Sequence, residues 1–553
     1  MRRLLLLAAI WMAALSCSTL PPVDTPPEEA PAKEDTPSGD DPSQEGEPLP
    51  KALVVQVRVD GVAVRAGETL ERVSLSPSIS LEFSREVKPS SSSLSSVDFS
   101  GSDLSVEGDP SNSSVLVFKP LEELSFGKRY RFTISAGECF GVNLQKEFTF
   151  WITTEADIND QEDKFPRIPD EDLLDLVQEK TFMYFWDYAH PVSGLARERL
   201  GSGDTVTSGG SGFGIMAIPV GVERGFITRE EAVERMRRIV GFLLSAQTFH
   251  GAFPHWLNGN TGAVIPFGTN DNGGDLVETA FLMEGLLTAH AYFDREEEAD
   301  IRSSIDALWR AVEWDWYTRG GQNVLYWHWS PDKDWAMNMP VRGWNEALMV
   351  YVLAASSPTH PVSEEVFRQG WGVFSFPVAQ NQPLFFAHYS FLGLDPRNLS
   401  DSSGSYWEQN VAQARYNRDY CVRNPGAHTG YSAHCWGLTA SDVPSGYAAS
   451  SPSNDRGTIA PTAALASMPY LPQESMAALH YFYYKLGDRL WGTYGFKDAF
   501  CLDNGWFASS YLAIDQGPII AMIENYRTAL LWELFMSNED VRAGLDKLGF
   551  TYE

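Results

Sequence analysis

The hydrophobic period of this chain changes once along its length, and that change limits what the chain can fold into. From Ala52 to Glu155 apolar residues recur at every second position. Leu53-Val54-Val55-Gln56-Val57-Arg58-Val59, Ser78-Ile79-Ser80-Leu81-Glu82-Phe83 and Ser114-Val115-Leu116-Val117-Phe118 all alternate. Alternation places the apolar side chains on one face of a strand, and turn residues between the runs suit a small β-sandwich over 52–155. Beyond an acidic, Pro-containing linker at 156–170 the spacing becomes helical. Asp172 to Trp186 carries apolar residues three and four apart, and the pattern returns at Arg229–Gln247, Asp275–Phe293, Ala299–Tyr317, Trp344–Ala355, Tyr406–Val422, Gln473–Leu486 and Pro518–Phe535. About a dozen helices in 171–553, separated by Gly-, Pro- and aromatic-rich loops, predict an all-α (α/α)6 toroid with a cleft at one rim.

The N-terminus reads as an export signal over residues 1–16. Arg2 and Arg3 precede an apolar run from Leu4 to Leu15 that is short for a bilayer span. Ala14-Leu15-Ser16-Cys17 then resembles a lipobox with its usual Leu displaced by one position, which makes Cys17 the expected lipidation site. Plain secretion is the alternative. Residues 17–51 are rich in Pro, Glu, Asp and Ser and bury too little apolar area to fold, as suits a tether from a membrane. The expected location is the cell envelope, as an outer-membrane lipoprotein, with no other membrane contact. Cys139, Cys421, Cys435 and Cys501 are too sparse for a disulfide framework and lack metal-ligand spacing.

Charge narrows the choice of ligand. Asp and Glu outnumber Lys and Arg by 73 to 42, a net charge of -31, which repels nucleic acid and polyanionic polysaccharides alike. A neutral ligand fits best. The 17 Trp residues suit either an aromatic-lined cleft or a large helical core.

Two carboxylate clusters stand out. In Thr269-Asn270-Asp271-Asn272-Gly273-Gly274-Asp275-Leu276-Val277-Glu278 the glycines place a helix start near Asp275 and leave Asp271 on a loop. Asp275 followed by Glu278 also has capping-box spacing, which leaves Asp271 unexplained. In Arg342-Gly343-Trp344-Asn345-Glu346-Ala347, Glu346 falls in a helix's first turn, where the dipole alone would favour it. Beside Trp344 a carboxyl can instead be desolvated and kept protonated, as an acid catalyst requires. Trp256, Trp327, Trp329, Trp335 and Trp344 offer stacking surfaces for sugar rings. His388, next to Tyr389, and His434 could meet hydroxyls, although a His among aromatics is more often structural. Asp442, Asp455 and Asp515 lie on Gly/Pro-rich loops, Asp515 being equally a helix N-cap. Walker, Rossmann, nucleophile-elbow and zinc motifs are absent from the sequence.

From about residue 170 onward these motifs resemble glycoside hydrolase family 144, the β-1,2-glucanases that share the bacterial "glycoamylase" domain. Ser208-Gly209-Gly210-Ser211-Gly212-Phe213-Gly214, the Asp271–Glu278 cluster, Trp344-Asn345-Glu346-Ala347 and Asp515-Gln516-Gly517-Pro518 carry the resemblance. Ser78–Ser84 and Leu124–Phe132 resemble bacterial immunoglobulin-like domains. The family resemblance implies an (α/α)6 fold, no metal or other cofactor, and hydrolysis of β-1,2-glucan with inversion, by endo action or by sophorose release. It implies Glu346 as an essential carboxylate, here assigned as the acid. Asp271 or Asp275 is expected to be the base. Glu278, Trp256, Trp327, Trp329, Trp344, His388, Tyr389 and Asp515 are expected to contact substrate. Two other readings are another neutral-glucan glycosidase or phosphorylase on the same toroid, and a non-catalytic glycan-binding lipoprotein.

Overall fold

The computed structural model describes residues 48–125, 128–154 and 162–552. The export signal, Cys17, nearly all of the tether and the first part of the linker lie outside the described residues. Contacts divide the chain into two compact units.

In the N-terminal unit, strands β1 (Val54–Val59), β2 (Val62–Val64), β3 (Ile79–Phe83), β4 (Val97–Phe99), β5 (Leu104–Asp109), β6 (Asn112–Pro120) and β7 (Arg129–Ile134) follow the alternating runs. Five of them form a sheet in the order β2-β1-β3-β6-β5, and β4 pairs antiparallel with β7. The register Val57↔Leu81 and Leu81↔Leu116 aligns the apolar faces. Ile79, Leu81, Phe83, Leu116, Phe118 and Phe132 are buried in this β-sandwich. Phe118 and Phe132 meet edge to face with centroids 5.6 Å apart.

The C-terminal unit is helical. Its helices are α1 (Asp170–Trp186), α2 (Ser208–Glu223), α3 (Arg229–Leu243), α4 (Leu276–Tyr292), α5 (Ala299–Ala311), α6 (Leu348–Ser356), α7 (Glu364–Gly370) and α8 (Tyr406–Arg423). They continue with α9 (Pro461–Leu465), α10 (Pro472–His480), α11 (Gly487–Leu490), α12 (Ala513–Thr528), α13 (Leu530–Met536) and α14 (Glu539–Leu548). Nearly every residue of α2, α4, α6 and α12 is buried, whereas α3, α5 and α14 bury one face only. A helix that is apolar all round belongs in an interior, and an amphipathic one belongs outside it. Accordingly α4 packs on α2 and α6, α12 packs on α1 and α2, α3 pairs with α5, and α14 covers α6.

Several boundaries differ from the periodic pattern. Helix α2 is not among the expected helices, because its glycines and Pro219 have poor helix propensity. Those glycines answer to tertiary contact instead. A Cβ on Gly212 would lie 2.0 Å from Phe281 O, and one on Gly285 would lie 2.1 Å from Gly212 O. The backbones of α2 and α4 therefore touch where only glycine fits. The helix expected from Trp344 starts at Leu348, so Glu346 lies outside it in the preceding turn. The run expected from Pro518 to Phe535 breaks at Ala529, which has φ +62°. Within the linker expected to reach residue 170, Lys164 N donates to Tyr484 O and Phe165 packs on Tyr483, so this part is docked on the helical unit. Cys139, Cys421 and Cys435 are buried thiols, and Cys501 is buried as well.

Gly212→Ala should cost about 1–3 kcal/mol or more by forcing α2 and α4 apart. Gly241→Ala, on the exposed side of α3 with nothing within 4 Å, should be stabilising by about 0.5–1 kcal/mol. Thermal denaturation of both variants checks the contrast.

Candidate active site

The Asp271–Glu278 segment enters α4 through a β-ladder. Gly274 and Asp275 pair with Trp329 and His328, and a Cβ on Gly273 would lie 2.2 Å from Trp329 O. The two glycines thus let one loop lie flat on another, and Asp275 emerges as the N-cap of α4. Asp275 Oδ1 accepts from Val277 N at 3.0 Å and Glu278 N at 2.9 Å. Its Oδ2 accepts from Trp327 Nε1 at 3.0 Å and lies 3.2 Å from His255 Nδ1. The capping-box spacing is only half used. Asp275 N donates to Phe253 O, while Glu278 Oε2 turns to α2 and accepts from Gly209 N at 2.8 Å and Thr207 Oγ1 at 3.3 Å.

Asp271 stays on the loop, in a tight turn closed by backbone bonds with Gly268. Its Oδ1 is buried without a hydrogen-bond partner. His328 Nε2 lies 3.6 Å away but already accepts from Asn272 N and Gly273 N at 3.2 and 2.9 Å. Two donors on one nitrogen make His328 a neutral ring with its proton on Nδ1, and burial lowers its pKa further.

The charges interact strongly. Burial opposes protonation of His255, but Glu278, Asp275 and Asp271 outweigh it and lift its pKa to about 9. His255 is therefore a cation at neutral pH. Burial raises Asp271 to about 7, helped by the charge of Asp275 and opposed by His255. Burial likewise raises Glu278. Glu346, buried in the turn before α6, is raised to about 7 by desolvation, with Asp275 and Glu278 adding to the rise. Ser390 Oγ holds that turn by donating to Glu346 O and accepting from Met349 N.

A second carboxyl group lies around α12. Asp515 is buried inside the first turn of that helix, whose N-cap is Leu512, so the N-cap reading of Asp515 is incorrect. Neither oxygen of Asp515 meets a donor. Burial, with the neighbouring charge of Asp498 adding to it, raises the Asp515 pKa well above the usual carboxyl range and favours its protonated form. Burial and Asp442 raise Asp498 to about 7. Asp442 accepts from Arg199 at 3.1 Å. A cavity of about 580 Å³ opens here, lined by Arg199, Asp442, Tyr447, Trp506 and Ser510. Tyr389 links the two groups: its hydroxyl feels Asp515, Glu346 and Glu278 at once.

Other expected contacts are reassigned by their packing. Trp344 is buried among Trp371, Phe391 and Tyr406, with Nε1 donating to Gln413, so it is a core residue. His388 is buried 3.0 Å from Ser467 Oγ, and burial lowers its pKa to about 3, which makes it structural. Trp327 spends its indole N–H on Asp275, and Trp329 packs edge to face on Trp316. Trp256 remains half-exposed, facing Phe267, which stacks on His255 at 4.1 Å. Asp455 is taken up by Tyr420 and Tyr431, and His434 is exposed. The residues that the sequence did not single out are His255, His328 and Asp498. Of these, only His255 carried a signal, lying between Pro254 and Trp256 in an aromatic loop.

One oxygen or nitrogen from each of His255, Asp271 and Asp275 falls within 4.8 Å of the others, a spacing open to a cation. Asp275 already has four donors on its oxygens and His255 is itself cationic. The group is thus organised for proton chemistry.

Residues 338–539 match the family described as "Putative glucoamylase", and residues 55–154 match "Bacterial Ig-like domain". An endo-β-1,2-glucanase from Chitinophaga pinensis, solved with sophorotriose and glucose, is 50% identical. It aligns over 70% of this chain and 99% of its own with a TM-score of 0.67. The chain belongs to this glycoamylase family, glycoside hydrolase family 144. A β-1,2-glucanase from Parabacteroides distasonis is 39% identical over 92% of this chain and 74% of its own, with a TM-score of 0.68. The exo β-1,2-glucooligosaccharide sophorohydrolase (non-reducing end) of Parabacteroides distasonis is 47% identical over 417 residues. The alignment covers 68% of this chain and 58% of that relative's length.

A family 144 site that depends on a proton at Glu346 should lose activity as pH rises through about 7, because the protonated form persists only below the raised pKa. Turnover measured across neutral pH checks this; a flat alkaline side excludes Glu346 as the acid.

Proposed function

We propose that this protein hydrolyses β-1,2-glucan with inversion, by endo action or by release of sophorose. The carrying observation is the Glu346 carboxyl, buried and raised to about 7 within electrostatic reach of Asp275 and Glu278, in a chain 50% identical to an endo-β-1,2-glucanase. Inverting hydrolysis needs an acid to protonate the leaving oxygen and a base to activate water on the other ring face. Glu346 is the acid. Asp271 is the base, because its Oδ1 is free to accept while both oxygens of Asp275 are occupied by donors. Asp275, with His255 and Trp327, positions the cluster. Glu278, Trp256, Tyr389 and Asp515 face the substrate in this reading, and no cofactor takes part. The all-buried helices α2, α4, α6 and α12 within amphipathic α3, α5 and α14 support reading the helical domain as an (α/α)6 toroid, with 52–155 as a separate sandwich and a start near 162 for the helical part.

Glu346→Gln keeps the shape of the side chain and removes the transferable proton, so turnover on β-1,2-glucan should fall about 10²–10⁴-fold with binding retained. Asp271→Asn should fall comparably, while Asp275→Asn should lose stability as well. Counting new reducing ends, with melting temperature measured beside it, separates these outcomes. Near-normal turnover in Glu346→Gln would overturn the assignment.

The same proposal places the protein in the cell envelope as an outer-membrane lipoprotein anchored at Cys17, with residues 17–51 as tether. Cys17→Ala should release it from the membrane fraction with unchanged specific activity. A variant that still sediments with membranes contradicts the anchor.

A further inference from the structure

A cavity of about 380 Å³ is lined by Glu313, Asp315, Trp316, Trp335 and His360, and its Trp316 packs on Trp329, in the strand that pairs with Gly274 and Asp275. None of these residues belongs to the acid–base group. Trp316 opens the short 3-10 turn Trp316–Thr318, capped by Asp315, and it is 39% exposed. One face of its indole is backed by the His250 ring, stacked at 3.7 Å and 14°. That imidazole is fixed in turn by Glu313 Oε2 at 2.7 Å from Nδ1. Trp329 closes one edge of Trp316 at 5.7 Å and 88°. The indole is therefore held rigid with its other face toward the cavity. Trp335 is gripped edgewise by Tyr317 and Tyr326. Among the described residues neither the Trp316 nor the Trp335 indole N–H has a hydrogen-bond partner. Asp315 faces His360 at 3.1 Å, so carboxylate acceptors and an imidazole stand beside the indole.

An immobilised aromatic face flanked by carboxylates suits a pyranose: ring C–H groups pack on the indole, and paired hydroxyls donate to carboxylate oxygens. A cationic ligand would also favour indole and carboxylates. Here, however, the protein's own Arg319 guanidinium already lies over Trp335, 5.9 Å from the ring centroid. We propose that this pocket is a second glucan-binding site, which holds a remote part of a β-1,2-glucan chain while another part occupies the Glu346–Asp271 centre. The identity of the polymer rests on the hydrolase reading above. The pocket gives the enzyme a preference for long chains at constant chemistry, since only a long chain reaches both sites.

The test uses the full chain with Trp316→Ala and Trp316→Phe. On long β-1,2-glucan, Trp316→Ala should raise KM about fivefold or more with kcat unchanged, as loss of one stacking contact implies. On oligosaccharides too short to span both sites, kcat/KM should stay within about twofold, and Trp316→Phe should recover most of the long-chain KM. Affinity electrophoresis in gels containing β-1,2-glucan, in the Glu346→Gln background, reads binding without hydrolysis. Equal retardation with and without Trp316→Ala overturns the proposal. So does an equal rise in KM for short and long substrates, which would put Trp316 in the reacting subsites. Quenching of wild-type but not Trp316→Ala fluorescence by choline, with no response to glucan, would overturn it in favour of a cation site. Retention of a wild type that cleaves no β-1,2-glucan would instead fail the hydrolase reading and leave the binding result standing.

Discussion

The contact at Gly212 and Gly285 sets the geometry on which the site depends. Two buried helices meet there with no side chain between them, since a Cβ on either residue would fall about 2 Å from a backbone oxygen of the other helix. That closeness brings the start of α2 to the first turn of α4. Glu278 can then reach across to Gly209 N–H and Thr207, which leaves Asp275 alone to cap α4. One packing constraint therefore divides two neighbouring carboxylates between two roles. The cost is borne in propensity: α2 carries glycines and a proline that would not hold a helix in isolation.

Around this contact the protein gathers acids that burial would otherwise forbid. Asp271, Glu278 and Glu346 are all raised by desolvation, and the opposing positive charge on Asp271 and Glu278 is that of His255. Holding Asp271 and Glu346 at about 7 is a condition for moving protons at neutral pH. His328 contributes differently. By accepting two backbone N–H groups it stays neutral, which fixes the Asp271 loop without adding charge. Burial raises Asp498 and Asp515 in the same way, and the charge of Asp515 is felt at Tyr389.

The sequence and the structure diverge in instructive places. Trp344 reads from its neighbours as a substrate contact beside Glu346, yet its indole is sunk among Trp371, Phe391 and Tyr406. Adjacency in the chain says nothing about direction at a turn, where successive side chains point apart. His388 next to Tyr389 fails in the same way: one is buried against Ser467, while the other senses three site carboxyls. Asp498 was invisible because its partner lies seventeen residues on, across a hairpin.

What the sequence determined by itself is the local part. The change of period separated a β-sandwich from a helical domain, and the spacing of Asp271, Asp275 and Glu278 placed a helix start near Asp275, because periodicity and helix capping are properties of neighbouring residues. Tertiary structure alone decided which oxygen of each carboxylate is free, which histidine carries charge, and which tryptophans face a cavity. Those outcomes depend on burial and on partners tens or hundreds of residues away, such as Gly209 for Glu278 and Trp327 for Asp275, and no local pattern encodes them.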